Sequence, residues 1–98
     1  TCAAISMVYL FHRMFLLHGD AKYIDCLERT LYNGVISGMA IDGGSFFYPN
    51  PLASCGGYER KAWFGCACCP SNLCRFIPSV PGYIYAVKDN IRGMATSL

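Results

Sequence analysis

The segment from Trp63 to Asn72 reads WFGCACCPSN, and three of the chain's seven cysteines fall within four of its residues. Thiolates attack electrophilic carbon, exchange disulfides and bind soft metal ions, so Cys66, Cys68 and Cys69 are the first candidates for chemistry. Pro70 loses no hydrogen bond in the first turn of a helix. This predicts a helix beginning at Pro70 and running through Ser71, Asn72, Leu73, Cys74 and Arg75 toward Ile77. Cys69 then falls at the N-cap and Cys68 just before it, where free backbone N–H groups and the positive end of the helix dipole favour thiolate. Cys68 and Cys69 are adjacent and converge on one ion only if the backbone bends between them. The start of a helix supplies that bend.

Other uses of cysteine compete with this one. A free cysteine is often a small buried hydrophobe, the role expected of Cys26 and Cys74. A disulfide framework fits poorly, because the count is odd and adjacent cysteines seldom pair. A closed structural zinc site normally shows two C-x2-C or C-x2-4-H pairs, and the sequence has neither.

The elements that must position the cluster follow from periodicity. Cys2 to Leu17 is helical in pattern and apolar in almost every direction, with only Ser6 and Arg13 forming a polar stripe and His12 beside it. Such a helix expects burial on more than one side. His12 and His18 are six apart, too far round the helix to share a ligand, and read as surface or helix-end residues. Gly19 suits a C-cap and Asp20 an N-cap, so a second helix runs from about Ala21 to Ile36. Its core stripe is Ile24, Leu27, Leu31 and Val35, while Lys22, Asp25 and Arg29 face solvent. Glu28 breaks the division, sitting at the edge of the stripe where a carboxylate needs a partner. Met39–Ile41, a D-G turn and Ser45–Tyr48 read as a short hairpin, stopped by Pro49 and Pro51. Residues 52–62 read as an exposed loop, Pro78 and Pro81 limit the cysteine helix, and Tyr83–Val87 alternates like a strand.

Composition narrows the function classes. Of 98 residues, 54% are hydrophobic and only 14% charged, against roughly 25% charged in a typical domain, so the chain reads as part of something larger. Its start inside a helical pattern, without Met, points the same way. A net charge of +2 with no basic cluster gives no case for nucleic acid. No apolar run reaches the roughly 18 residues of a membrane span, and no signal peptide is visible. Seven cysteines, expected reduced, favour a reducing interior and hence a cytoplasmic location.

Three blocks, TCA at a helix start, LERTLYNGVISGMAIDGGSFFYPNPL, and WFGCACCPSN followed by YIYAV, resemble glycoside hydrolase family 127, the β-L-arabinofuranosidases. The resemblance covers about residues 1–88, as a partial catalytic domain, with 89–98 a divergent or incomplete C-terminal segment. Pro78 with Pro81 also departs from the pattern. It implies a mainly α fold, a fragment of an (α/α)6 barrel with a short β-hairpin and a C-terminal strand leading toward a β-sandwich. It also implies a retaining glycosidase in which Cys68 is the nucleophile and Cys2, Cys68 and Cys69 are ligands of Zn2+. A fourth ligand and the acid/base, both glutamates, would lie upstream of Thr1. Glu28 and Tyr48 fall on positions that line the sugar pocket, so the implied partner is an arabinofuranoside. Two rival classes stay open: a non-catalytic zinc module, and a thiol redox or metal-handling protein using CACC for exchange.

Overall fold

The computed structural model describes residues 1–88 and 91–96, with the backbone alone for Lys88 and Ile91–Thr96. Helix α1 spans Cys2–His18 and α2 spans Ala21–Thr30. Between them Gly19 takes the left-handed conformation (φ 67°) and donates its N–H to the Phe15 carbonyl at 2.7 Å. The Asp20 carboxylate accepts from the Lys22 N–H at 2.9 Å. Both caps stand where the sequence put them, because a glycine tolerates positive φ and a short carboxylate reaches an unpaired N–H.

The second helix does not stay α-helical to Ile36. It changes to a π-helical turn over Leu31–Val35 and a 3-10 turn over Ile36–Gly38. The expected stripe nevertheless holds, with Ile24, Leu27, Leu31 and Val35 all buried. The change of pitch occurs where α1 comes close: a Cβ built on Gly34 would lie 2.9 Å from the Ala4 Cβ. π turns commonly mark functional segments of helices, and this one leads directly to the residues around the cysteines. Gly34→Ala should therefore destabilise the protein by about 1–3 kcal/mol, despite alanine's better helix propensity, because the crossing cannot admit a methyl group. Denaturant midpoints of the two proteins check this; an unchanged or higher midpoint would show that the crossing yields.

Helix α3 spans Cys68–Phe76, with Ala67 at its N-cap, so it begins two residues before Pro70. The expected caps at Cys69 and before it are thus displaced into the first turn. The reason is that the first four N–H groups of any helix lack an intrahelical partner, so proline fits several positions there and marks the turn without fixing its first residue. Pro78 and Pro81 do end the α-helix, and the chain continues as a 3-10 turn over Ile77–Tyr83.

Strand β1, Tyr85–Lys88, pairs antiparallel with β2, Ile91–Thr96. Tyr83, expected at the start of the strand, is instead a buried core residue at the end of the 3-10 turn. Part of the segment 89–98, its residues 89, 90, 97 and 98, lies outside the described residues. The hairpin around Asp42–Gly43 shrinks to single bridges joining Met39, Phe46 and Lys61. Its turn is as expected, with Gly43 at φ 74° and Asp42 accepting from the Gly44 N–H at 2.9 Å.

The core is one cluster in which Ile5 and Val8 of α1 meet the α2 stripe, Phe46, Leu73, Phe76 and Tyr83. Only one side of α1 is covered. Leu10, Leu16 and Leu17 are 50%, 60% and 76% exposed, so burial on several sides is not achieved within the described residues. His12 packs edge-on against Tyr83 at 4.7 Å between ring centroids. That burial, aided by Arg13, holds its pKa below the usual histidine value. Residues 52–62 are exposed throughout, as the sequence indicates.

Candidate thiolate site

Three segments converge on the N-terminal turn of α3. Cys2 comes from the first turn of α1, Cys68 and Cys69 from α3, and Tyr48 from the loop after the Phe46 bridge. Cys2 Sγ lies 3.3 Å from Cys69 Sγ, and Cys68 Sγ lies 3.8 Å from Cys69 Sγ. Cys68 Sγ is 3.3 Å from the Tyr48 hydroxyl, and Cys69 Sγ faces the Tyr48 carbonyl at 3.7 Å. The Asn72 amide donates to Cys2 Sγ at 3.3 Å from one turn further along α3. Sixty-odd residues of intervening chain thus close onto one turn.

The approach is tight because the packing around it is tight. A Cβ on Gly38 would lie 3.1 Å from Thr1 Cγ2, so glycine is what lets the start of α1 settle there. The Thr1 hydroxyl lies 3.0 Å from the carbonyls of both Phe47 and Tyr48, while the Phe47 N–H donates to the Gly38 carbonyl at 2.7 Å. Beyond Tyr48, the Asn50 amide lies 2.7 Å from Ser37 Oγ and 3.2 Å from the Gly34 carbonyl. The π turn and its 3-10 extension therefore act as the anchorage for the Tyr48 loop. Asn50 carried no signal in the sequence beyond lying between two prolines, because its partners are brought up by the tertiary fold.

The two adjacent thiols differ electrostatically. Cys68 is partly exposed and its pKa is lowered, first by its hydrogen bond with the Tyr48 hydroxyl and then by Cys2. The same interaction pushes Tyr48 up to about 12, so Tyr48 keeps its proton. Cys69 is buried, and that burial, with Cys2 beside it, pushes its thiol up to about 11. The helix start therefore does not lower both thiols, as the sequence suggested. Desolvation outweighs the partial charge of one helix terminus at a buried sulfur. A thiolate at Cys69 requires a cation nearby.

The donor set fits one. All three sulfurs lie within 4.8 Å of one another. Tetrahedral zinc with sulfur at about 2.3 Å has ligand sulfurs about 3.8 Å apart, and the spacings of Cys2 and Cys68 from Cys69, 3.3 and 3.8 Å, are close to that. No fourth ligand joins them among the described residues.

Other candidates lie elsewhere. Glu28 is half-buried on α2, roughly three helical turns before Gly38, and no hydrogen bond or ion pair among the described residues joins it to the sulfurs. Cys66 is exposed, as are Cys26 and Cys74, which are therefore not the core residues their type suggested. None of the seven cysteines is in a disulfide.

Residues 1–82 match the pattern of a glycoside hydrolase catalytic domain, that of the β-L-arabinofuranosidases. The chain belongs to glycoside hydrolase family 127. It is 39% identical to a non-reducing end β-L-arabinofuranosidase of Bifidobacterium longum subsp. longum, in a match covering 91% of this chain and 15% of that protein. Among solved structures, a family 127 β-arabinofuranosidase is 69% identical with a TM-score of 0.92, covering 99% of this chain and 15% of the other. A β-L-arabinofuranosidase from Geobacillus stearothermophilus T6 is 42% identical with a TM-score of 0.87, again covering 99% of this chain and 17% of its own. The chain thus spans about one seventh of the length of these relatives. No helix among the described residues is long and apolar enough to cross a membrane.

Proposed function

We infer that the protein of which this chain forms part is a retaining β-L-arabinofuranosidase with Cys68 as nucleophile and a zinc ion held by Cys2, Cys68 and Cys69. The observation that carries the reading is the convergence of three thiols within 4.8 Å, one of them hydrogen-bonded to Tyr48. The family supplies the sugar; the geometry supplies the sulfur.

In this reading the Cys68 sulfur attacks the anomeric carbon, forming a C–S bond as the glycosidic C–O bond breaks. The leaving oxygen keeps the electron pair and takes a proton from an acid on the opposite face of the sugar. Water then attacks the same carbon, the C–S electron pair returns to sulfur, and the water's proton passes to the base so formed. Bound zinc would keep the cysteine sulfurs deprotonated at neutral pH and moderate their basicity. Once Cys68 is a thiolate, the Tyr48 hydroxyl 3.3 Å away would donate to the sulfur, orienting the nucleophile and stabilising it as it leaves. Asn72 donates to the Cys2 sulfur and holds that ligand in place. Glu28 and Tyr48 are assigned to the sugar pocket. The exposed leucines of α1 fit an (α/α)6 barrel in which further helices cover them, with the β1–β2 hairpin leading toward a β-sandwich. The unpaired cysteines fit a cytoplasmic setting.

The test is hydrolysis of a β-L-arabinofuranoside by the purified full-length protein, followed by NMR. The first sugar formed should be the β-anomer, and metal analysis should find about one zinc per chain. Initial release of the α-anomer would overturn the double displacement. Metal without turnover would return the site to a structural module, and a reversible disulfide without metal to a redox role.

A further inference from the structure

Beside the sulfurs lies a second feature, which shares only Tyr48 with the reaction described above. A cleft of about 410 Å3 opens between the Tyr48 loop and the segment 57–64, within the size range of small-ligand sites. Its lining includes the aromatic residues Phe47, Tyr48, Tyr58 and Phe64 together with the charged residues Glu59 and Lys61. The rings brace one another: Phe47 and Tyr58 are 5.2 Å apart between centroids, and Tyr48 and Phe64 are 5.5 Å apart. Tyr58 donates its hydroxyl proton to the Pro49 carbonyl at 3.0 Å, and the Arg60 guanidinium lies 4.4 Å over Phe47 and donates to the Ser37 carbonyl. The loop carrying Tyr58 is therefore fastened to the site, although every residue of 52–62 is exposed.

We propose that this aromatic cleft is a binding subsite for a second sugar ring, the one that carries the arabinofuranosyl group being removed. The inference rests on the glycosidase reading above and extends it to the leaving group. Tyr48 links the two places, since its hydroxyl meets Cys68 and its ring forms part of the cleft wall. The C–H faces of a sugar ring pack on aromatic rings, and its hydroxyls need charged or polar partners at the edge. Glu59 and Lys61 form no ion pair among the described residues and offer an acceptor and a donor there. A purely apolar occupant would leave both unused, and a nucleic-acid strand would call for a basic surface that the cleft lacks. Rings held rigidly before binding also lose little entropy when the ligand arrives.

The experiment compares two substrates with the full-length enzyme: a β-L-arabinofuranosyl disaccharide, and methyl β-L-arabinofuranoside, whose leaving group is too small to reach the cleft. Tyr58→Ala should lower kcat/KM for the disaccharide about tenfold or more while changing that for the methyl glycoside by less than about threefold. Tyr58→Phe, which keeps the ring and loses the bond to Pro49, should keep most of the preference for the disaccharide. Lys61→Met should act in the same direction as Tyr58→Ala, with a smaller loss. Equal losses on both substrates would overturn the subsite, since they would mean that Tyr58 merely supports the fold. No turnover of either substrate by the unsubstituted enzyme would instead refute the glycosidase reading.

Discussion

Cys68→Ser should reduce turnover of a β-L-arabinofuranoside by roughly 10⁴-fold or more in the full-length protein, because removing a covalent nucleophile removes the step it enables. Serine preserves size and placement but not the chemistry. A serine hydroxyl is a far weaker acid than a thiol whose pKa is lowered by its neighbours, and Tyr48, pushed up to about 12, is no base for it. The matching measurement is labelling with an electrophile shaped like arabinofuranose. Peptide mapping should find the adduct on Cys68, with Cys66 unlabelled and a Cys66→Ser protein retaining its activity. An adduct on Cys66, or a Cys68→Ser protein with ordinary kcat, would reverse the two roles.

Cys69→Ser should cost metal and stability together. Cys69 is the sulfur in contact with both others, at 3.3 Å from Cys2 and 3.8 Å from Cys68, so its loss leaves two donors that no longer share a neighbour. Zinc bound to the native state but not the unfolded one adds its binding free energy to folding, several kcal/mol for a well-formed thiolate site. Zinc content should fall from about one per chain to well under half, and the thermal midpoint should drop by several degrees. A chelator should produce the same drop in the unsubstituted protein and little in the variant. Full zinc content in Cys69→Ser would remove Cys69 from the ligand set, and with it the reason for a thiolate at a buried sulfur whose pKa otherwise rises to about 11.

Several elements were legible before any coordinates because their cause is local. Gly19 and Asp20 cap their helices through single-residue properties, a tolerated positive φ and a short carboxylate. The stripe Ile24, Leu27, Leu31 and Val35 is written in the spacing of apolar residues, and it survived even the change from α to π pitch. The cysteines at 66, 68 and 69 stood out by density alone, and the three family blocks placed the chain in glycoside hydrolase family 127. What was read less well depends on neighbours distant in sequence. Cys69 was expected to be acidified by a helix start, yet burial against Cys2, 67 residues away, raises it. The short hairpin became isolated bridges because Phe46 pairs with Lys61 as well as Met39, which alternation within the segment does not reveal.

The sequence by itself determined which residues can do chemistry and which helices exist, since side-chain type, capping and periodicity act over a few residues. The tertiary structure decided which cysteines lie together. Cys66 and Cys68 are separated by one residue, but it is Cys2 that shares the turn with Cys68 and Cys69. Helix α1 is free to reach it only because Gly34 and Gly38 leave no Cβ in its path, and Tyr48 faces Cys68 in a loop that Asn50 ties to the π turn. Contacts between segments dozens of residues apart are fixed by packing of the whole core, and no local pattern encodes them.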